Sequence, residues 1–310
     1  MKKYLKKIKF INDAYTKYKW RERKVSYGEE NKDKIFYVVR RAGAKVGLFS
    51  LVMTSLGYIK YALDHGYIPV IDMCNEDNTY MQDEKKGNVW EYYFEQPCGY
   101  TLDDIKNSKH VIIGNGIIDG TVPFPQEKIA YDNQELIDWK AIADKYLIVK
   151  KDIIEESDSL FCDFFGHEHV LGILLRGTDY VNSRPKNHPV QPTMEQAVDK
   201  INEVLAKGQF KKIYLATEDA GIYQKLRVQY GEMLVSMDVE RYTTNATENI
   251  NDISVKKSMN KYQMGKDYLI NIMILSKCDY LLAGNAGGSQ GALLFRNADA
   301  PRFIFDLGKY

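Results

Sequence analysis

The sequence predicts an α/β protein of two Rossmann-like halves, each a parallel sheet covered by helices. Three observations lead there. Short apolar runs that read as buried strands alternate with longer stretches at helical spacing, the pattern of right-handed strand–helix–strand crossovers. Glycine-rich turns follow two of the strands, at Gly43–Gly47 and at Gly284–Ser289. The chain has 310 residues, 45% hydrophobic and 27% charged, which is enough for two domains of ordinary size or one large one. The division expected is a basic helix over 1–30, a first domain over 31–150 and a second over 151–310, with the two sheets facing across a cleft.

Residues 1–27 are strongly basic, opening with Lys2, Lys3, Lys6, Lys7 and Lys9. Tyr4, Ile8, Ile11, Tyr15 and Tyr18 recur at helical spacing and form one apolar stripe. Such a helix can lie on an anionic membrane surface, or it can pack on its own domain with its lysines in water. Lys34–Arg40 reads as the first core strand. The small-residue turn Arg41–Gly47 leads into a helix over Leu48–His65, closed by Gly66 as its C-cap. Tyr67–Met73 returns as a strand. This strand–turn–helix–strand unit brings backbone N–H groups and a helix N-terminus to bear on phosphate.

Residues 74–100 mix carboxylates and rings, with a short helix expected around Trp90. Glu76, Asp77, Tyr80 and Trp90 are the acceptor-side candidates, since sugar faces stack on aromatic rings while hydroxyls bond to carboxylates. A solvated loop over a small aromatic cluster fits the same composition. Lys109–Ile113 reads as a third strand, Asp119–Pro125 as a turn-rich connection and Asn133–Val149 as a helix. The second half carries strands at Val170–Leu175, Lys212–Ala216, Met233–Ser236, Tyr280–Ala283 and Phe303–Phe305. Helices are expected over Thr193–Lys207, Gly221–Tyr230 and Lys266–Lys277.

Composition narrows the function. A net charge of +1 gives no global argument for nucleic acid. The four cysteines, Cys74, Cys98, Cys162 and Cys278, show no metal or redox spacing, so reduced thiols in the cytoplasm are expected. The pair His167 and His169 reads as solvated, and no metal is expected. The N-terminus lacks the apolar core of a secretory signal, and no apolar run is long enough to span a bilayer. Membrane contact, if made, is peripheral, at the inner surface, through residues 1–27.

Three segments end strands of the second half. Val170–Leu175 is apolar throughout and breaks into Arg176, Gly177, Thr178 and Asp179. An arginine there stands where open α/β sheets hold their ligands, and its forked donors match phosphate oxygens. A strand-end salt bridge would place the same residue. Ile213–Asp219 ends in Thr217, Glu218 and Asp219. Asn271–Ser289 reads as a helix, a strand and a glycine turn whose N–H groups can face a diphosphate.

In this order and spacing the three segments resemble the motifs of the GDP-fucose-dependent fucosyltransferase superfamily, most nearly the α1,6 enzymes and then the α1,2 enzymes. Gly172-Ile-Leu-Leu-Arg-Gly-Thr-Asp179 is similar to that family's Gly-Val-His-x-Arg-Arg-x-Asp. Ile213–Asp219 is similar to Val-Tyr-Leu-Ala-Thr-Asp-Asp, and Asn271–Ser289 to its last motif. Gly43–Gly47 resembles the family's N-terminal glycine loop, and His188-Pro189 falls where the family has His-Pro. The likeness covers about two-thirds of the chain as scattered motifs.

The resemblance implies a GT-B-like fold and metal-independent, inverting transfer of fucose from GDP-fucose to a glycan acceptor. The donor binds the second domain and the acceptor mostly the first. It implies Arg176, Asp179 and His188 as catalytic residues. Gly43, Gly47, Thr178, Asp219, Asn271, Gly287, Gly288 and Ser289 join Arg176 around the donor nucleotide. The sequence departs from the family at several places. Leu174 replaces the motif histidine, Gly177 the second arginine, and Asn271 the aspartate that contacts guanine. Arg184 and Tyr180 occupy the places of the acceptor-activating Glu and Lys. The general base stays open among Asp179, His188, Glu76 and Asp77. A different nucleotide sugar, or a non-catalytic glycan- or nucleotide-binding relative, are the alternatives.

Overall fold

The computed structural model describes residues 12–74, 77–82, 87–177, 184, 186–243 and 260–310. The chain divides into two compact units. The first comprises Met1–Val46, Leu51–Phe124 and Lys145–Ile148, the second Gly47–Ser50, Pro125–Asp144 and Val149–Tyr310.

In the first unit, helix α1 (12–20) leads into strand β1 (Arg23–Val25) and strand β2 (Phe36–Val39). Helix α2 (Leu48–Asp64, its first residues counted with the second unit), strand β3 (Ile68–Ile71), the short helix α3 (Trp90–Tyr93) and strand β4 (Val111–Ile113) follow. The strand order is β1-β4-β2-β3. β4, β2 and β3 are parallel, with Phe36 opposite both Ile68 and Val111. β2 and β4 are wholly buried, as continuous apolar runs require, and Tyr100, Leu102 and Ile105 pack against them. Phe36, Val38, Val70, Ile105 and Val111 form the core. α2 ends at Gly66, whose φ of +73° is the left-handed turn that glycine makes without strain.

The first thirty residues correct the sequence reading. Helix gives way at Trp20, and Arg23–Val25 form an edge strand antiparallel to β4, with Arg23 opposite Ile113. Three residues are too few to show the alternation that marks a strand, and Arg-Lys-Val continues the basic composition before it.

The second unit holds a helical turn (Glu127–Ala130) and helices α4 (Asn133–Tyr146, its last residues counted with the first unit) and α5 (Lys151–Phe165). Strand β5 (Val170–Leu174), helix α6 (Met194–Lys207), strand β6 (Lys212–Ala216) and helix α7 (Ala220–Tyr230) come next. Strand β7 (Leu234–Val235), helix α8 (Lys261–Lys277), strand β8 (Tyr280–Gly284), helix α9 (Gly287–Phe295) and strand β9 (Arg302–Phe305) complete it. The sheet runs β7-β6-β5-β8-β9, all parallel. α5 lies outside the helices expected from sequence. Its acidic and aromatic residues mask the apolar period, and Gly166 closes it at φ +56°. α6 opens on a capping box in which Thr193 and Gln196 each bond the other's backbone N–H.

Candidate functional site

The topology of the second unit locates its site. From β5 the chain moves outward to β6 and β7, then crosses back to β8 and β9 on the other side. The order therefore reverses between β5 and β8, and ligands of open α/β sheets bind outside the carboxyl ends of the strands at such a point. β5 ends there in Leu175, Arg176 and Gly177, and β8 in Gly284, Asn285 and Ala286 before α9 begins.

Arg176 is about one-fifth exposed, and its Nε lies 3.5 Å from Glu218 Oε1 at the end of the neighbouring β6. The carboxylate holds the guanidinium at the carboxyl edge of the sheet. Gly177 is explained by the next residue of the same strand end. A Cβ there would collide with the Asp219 carboxylate, so the family's second arginine has no room. Asp219 is itself buried as the N-cap of α7, where Oδ1 accepts from Ile222 N at 2.9 Å. One oxygen of its carboxylate thus caps the helix.

Two further donor-side residues make internal hydrogen bonds. Asn271 is 8% exposed on α8; its Oδ1 accepts from the buried Tyr214 hydroxyl at 2.7 Å, and its Nδ2 donates to Asp267 O at 3.1 Å. Both ends of the amide face inward. Burial pushes the Tyr214 hydroxyl well above its ordinary pKa, so that hydroxyl stays a donor. Ser289 is fully buried, and its hydroxyl closes onto the Ala286 backbone, accepting from N and donating to O, both at 2.9 Å.

The glycines of the α9 turn remain. Gly288 is buried, and a Cβ there would come within 2.8 Å of the Tyr268 hydroxyl and 3.0 Å of Leu174 Cδ1. Gly287 is half-buried, with only Phe49 Cβ at 3.5 Å from where its Cβ would stand. The first turn of α9 thus comes close to the end of β5, and its N–H groups carry the positive end of the helix dipole.

Sequence reasoning missed Gln191. It is 4% exposed, and its Nε2 donates to Asn285 O at 2.8 Å and Pro189 O at 3.3 Å. Its Oε1 packs on Gly284 with no hydrogen-bond donor. A lone polar residue between Val190 and Pro192 carries no sequence signal for this. Asp267 was missed too. It is half-buried near the start of α8 and accepts from Gln263 Nε2 at 2.7 Å. Burial, reinforced by Glu156, holds its carboxyl above the ordinary range, against the Gln263 bond and Lys266.

The remaining expected residues are scattered. Thr178, Asp179, Tyr180 and Glu76 lie outside the described residues. His188 is exposed, and its carbonyl accepts from Tyr310 N at 3.1 Å. Arg184 is exposed with φ +44°. Gly43 takes the left-handed conformation at φ +66°, and neither it nor Gly47 has an atom within 4 Å of its Cβ position. Asp77 makes a surface ion pair with Lys45 at 3.3 Å. Tyr80 and Trp90 are 4% and 2% exposed. Tyr80 meets Tyr93 edge to face, Trp90 lies tilted on Phe94, and Trp90 Nε1 donates to Glu95 O at 2.9 Å. Both are core aromatics rather than open faces for a sugar. Among the described residues no group of three or more His, Cys, Asp or Glu is placed to hold a metal.

Comparison with family models and with curated proteins finds no match by sequence. Solved structures do match. One is fucosyltransferase NodZ from Bradyrhizobium, at TM-score 0.51 and 14% identity over 88% of this chain and 95% of that one. The fold is that of the GT-B fucosyltransferases. A mutant of Arabidopsis thaliana FUT1 in complex with GDP matches at TM-score 0.50 and 10% identity, over 90% of this chain and 72% of its own. POFUT1 in its apo form matches at 0.50 and 12%, over 89% and 99%. The likeness read in the motifs is thus met in the fold.

Proposed function

We propose that the protein is a metal-independent, inverting glycosyltransferase that moves fucose from GDP-fucose to a glycan acceptor. One observation carries the reading: Arg176 ends β5 at the reversal point of its sheet, beside the glycine-opened α9. In this reading 151–310 holds the donor and 31–150 serves the acceptor. The diphosphate lies between the Arg176 guanidinium and the N–H groups of Gly287 and Gly288, and exchanges for Glu218 as the guanidinium's anionic partner. The acceptor hydroxyl attacks the anomeric carbon as the bond to the β-phosphate oxygen breaks, which inverts the centre and releases GDP. Charge growing on that oxygen is what a fixed guanidinium and a helix N-terminus stabilise. The hydroxyl proton passes to a carboxylate or imidazole, for which Asp179 and His188 are the candidates nearest Arg176 in sequence. The structural neighbours support the donor class, since one of them, NodZ, is an α1,6-fucosyltransferase soaked with GDP-fucose.

A second reading keeps the fold and changes the base. Asn271, the residue expected at guanine, turns both ends of its amide to internal bonds. The experiment is release of nucleotide from GDP-fucose, UDP-glucose and a dTDP-sugar, with and without EDTA. Release of GDP alone, unchanged by EDTA, is the expected result. Release only from a UDP- or dTDP-sugar favours the second reading, and strict dependence on Mn²⁺ or Mg²⁺ contradicts both.

A further inference from the structure

The residue in front of α9 is held from several sides. Asn285 is fully buried, and both ends of its amide are bonded. Oδ1 accepts from Gln290 Nε2 at 3.0 Å, while Nδ2 donates to the Tyr131 hydroxyl at 3.1 Å and to Glu127 O at 3.4 Å. The Tyr131 hydroxyl donates in turn to Phe305 O at 2.9 Å.

The peptide unit between Asn285 and Ala286 is tied at both poles. Its carbonyl accepts from Gln191 Nε2 at 2.8 Å, and its N–H donates to Ser289 Oγ at 2.9 Å. Gln191 reaches it from the segment that leads from β5 to α6, and the same Nε2 donates to Pro189 O at 3.3 Å. That segment is itself braced: Val190 N donates to Gly308 O at 2.9 Å, and Tyr310 N to His188 O at 3.1 Å. One buried amide therefore joins the connections that follow β5 and β8, the two strands beside the reversal point.

The amide of Gln191 can face only one way. Turned over, it would set Oε1 against two carbonyl oxygens. As it stands, Oε1 packs on Gly284, where a Cβ would collide with it, and meets no hydrogen-bond donor. A buried acceptor without a donor lowers stability, so this side chain is set by what its Nε2 holds. The peptide it holds lies immediately before the N–H groups of Gly287 and Gly288. Reversing that peptide would point its carbonyl oxygen away from Gln191 at the very turn whose N–H groups make it attractive to anions.

We propose, on the donor-site reading above, that Gln191 is a positioning residue for anion binding at α9. It keeps the Asn285 carbonyl turned into the fold, so that the turn presents N–H groups and no carbonyl to the diphosphate. It acts through the backbone and, being 4% exposed, touches no ligand.

The test is calorimetric titration of inorganic pyrophosphate and of GDP into the 310-residue protein and its variants, at a temperature where each is folded. Gln191→Met, similar in length and without the donor, is expected to weaken both ligands about tenfold. Gln191→Glu keeps the shape but sets a carboxylate against the two carbonyls, and is expected to weaken them further. Thr193→Ala removes the α6 cap two residues away and reads a purely structural effect. It should lower the thermal midpoint and leave both dissociation constants within about twofold. Tyr131→Phe changes one hydroxyl on a ring that is 45% exposed and reaches the same turn through Asn285. It should weaken both ligands about threefold, and it decides the matter if neither Gln191 variant folds. Wild-type affinity in Gln191→Met, or in Tyr131→Phe where that variant decides, overturns the proposal and leaves the donor site standing. So does a loss of affinity in Thr193→Ala as large as that in Gln191→Met. A wild-type protein that binds neither pyrophosphate nor GDP removes the donor site and the proposal with it.

Discussion

The two sheets each end a central strand in arginine at the point where strand order reverses, and they use it in opposite ways. In the first unit that point lies between β2 and β4. Arg40 bridges it, with Nε donating to Gly114 O at 2.8 Å and Nη2 to Arg21 O at 3.0 Å, while the Trp20 ring packs on Gly116. In the second unit Arg176 faces the Glu218 carboxylate at 3.5 Å, next to a helix that opens on two glycines. Backbone carbonyls are permanent acceptors, and an arginine committed to several of them is part of the frame. A carboxylate at 3.5 Å can be exchanged for another anion. In sequence both arginines read alike, as a charge after an apolar strand; what their donors meet separates them.

Substituting both arginines should break the comparison open. Arg176→Ala is expected to lower kcat by roughly 10²–10³-fold with the fold intact, because one charged donor is lost where transition-state charge develops. Arg176→Lys should restore only part, since an ammonium lacks the forked geometry. Arg40→Ala is expected to leave the kcat of the folded fraction within about twofold. It should cost about 2–3 kcal/mol of stability by leaving the buried Gly114 carbonyl without its charged donor. Steady-state kinetics with a denaturant midpoint for each variant reads both effects.

A smaller effect is expected from Gly177→Ala. Its methyl would push the Asp219 carboxylate off the α7 N-terminus, costing about 1–2 kcal/mol in a urea titration, the value of an N-cap. An unchanged midpoint would mean that the strand end has room for a second side chain after all.

The smallest effect concerns pH. The folded carboxyl of Asp267 is raised above its ordinary value, first by burial. A carboxyl raised in the folded state favours folding most fully below its unfolded pKa, and that contribution is lost as pH climbs through the folded value. Asp267→Asn should therefore remove a decline in stability that the wild-type protein shows as pH rises above the ordinary carboxylate range. Thermal midpoints of the two proteins across that range check it, and parallel curves would show the carboxylate to be fully solvated.

Much of the fold was legible in sequence because the parallel strands are continuous apolar runs. Val170–Leu174 and Tyr280–Gly284 fall where their composition puts them, and so does α6 with its Thr193 cap. Strand β1 was not legible, because three residues paired on a sheet edge leave no periodic trace. Deleting residues 1–27 would remove that strand and Trp20, so the segment is not the detachable helix its composition suggests. The site was legible as a set of strand ends and illegible in its contacts. Asp219, Asn271 and Ser289 stand in motif positions, and each makes a side-chain hydrogen bond inside the fold. Tyr80 and Trp90 sit in a polar stretch, yet fill a core of rings. Which way a side chain turns depends on partners distant in sequence, such as Tyr214 for Asn271, and no local pattern encodes them.

The central claim is that Arg176 at the end of β5 binds an anion and Arg40 at the end of β2 does not. Calorimetric titration of GDP into the wild-type, Arg176→Ala and Arg40→Ala proteins, at a temperature where all are folded, tests it most directly. The expected result is binding by the wild-type and Arg40→Ala proteins with similar dissociation constants, and at least tenfold weaker binding by Arg176→Ala. Arg176→Ala binding GDP as tightly as the wild-type protein would contradict the account.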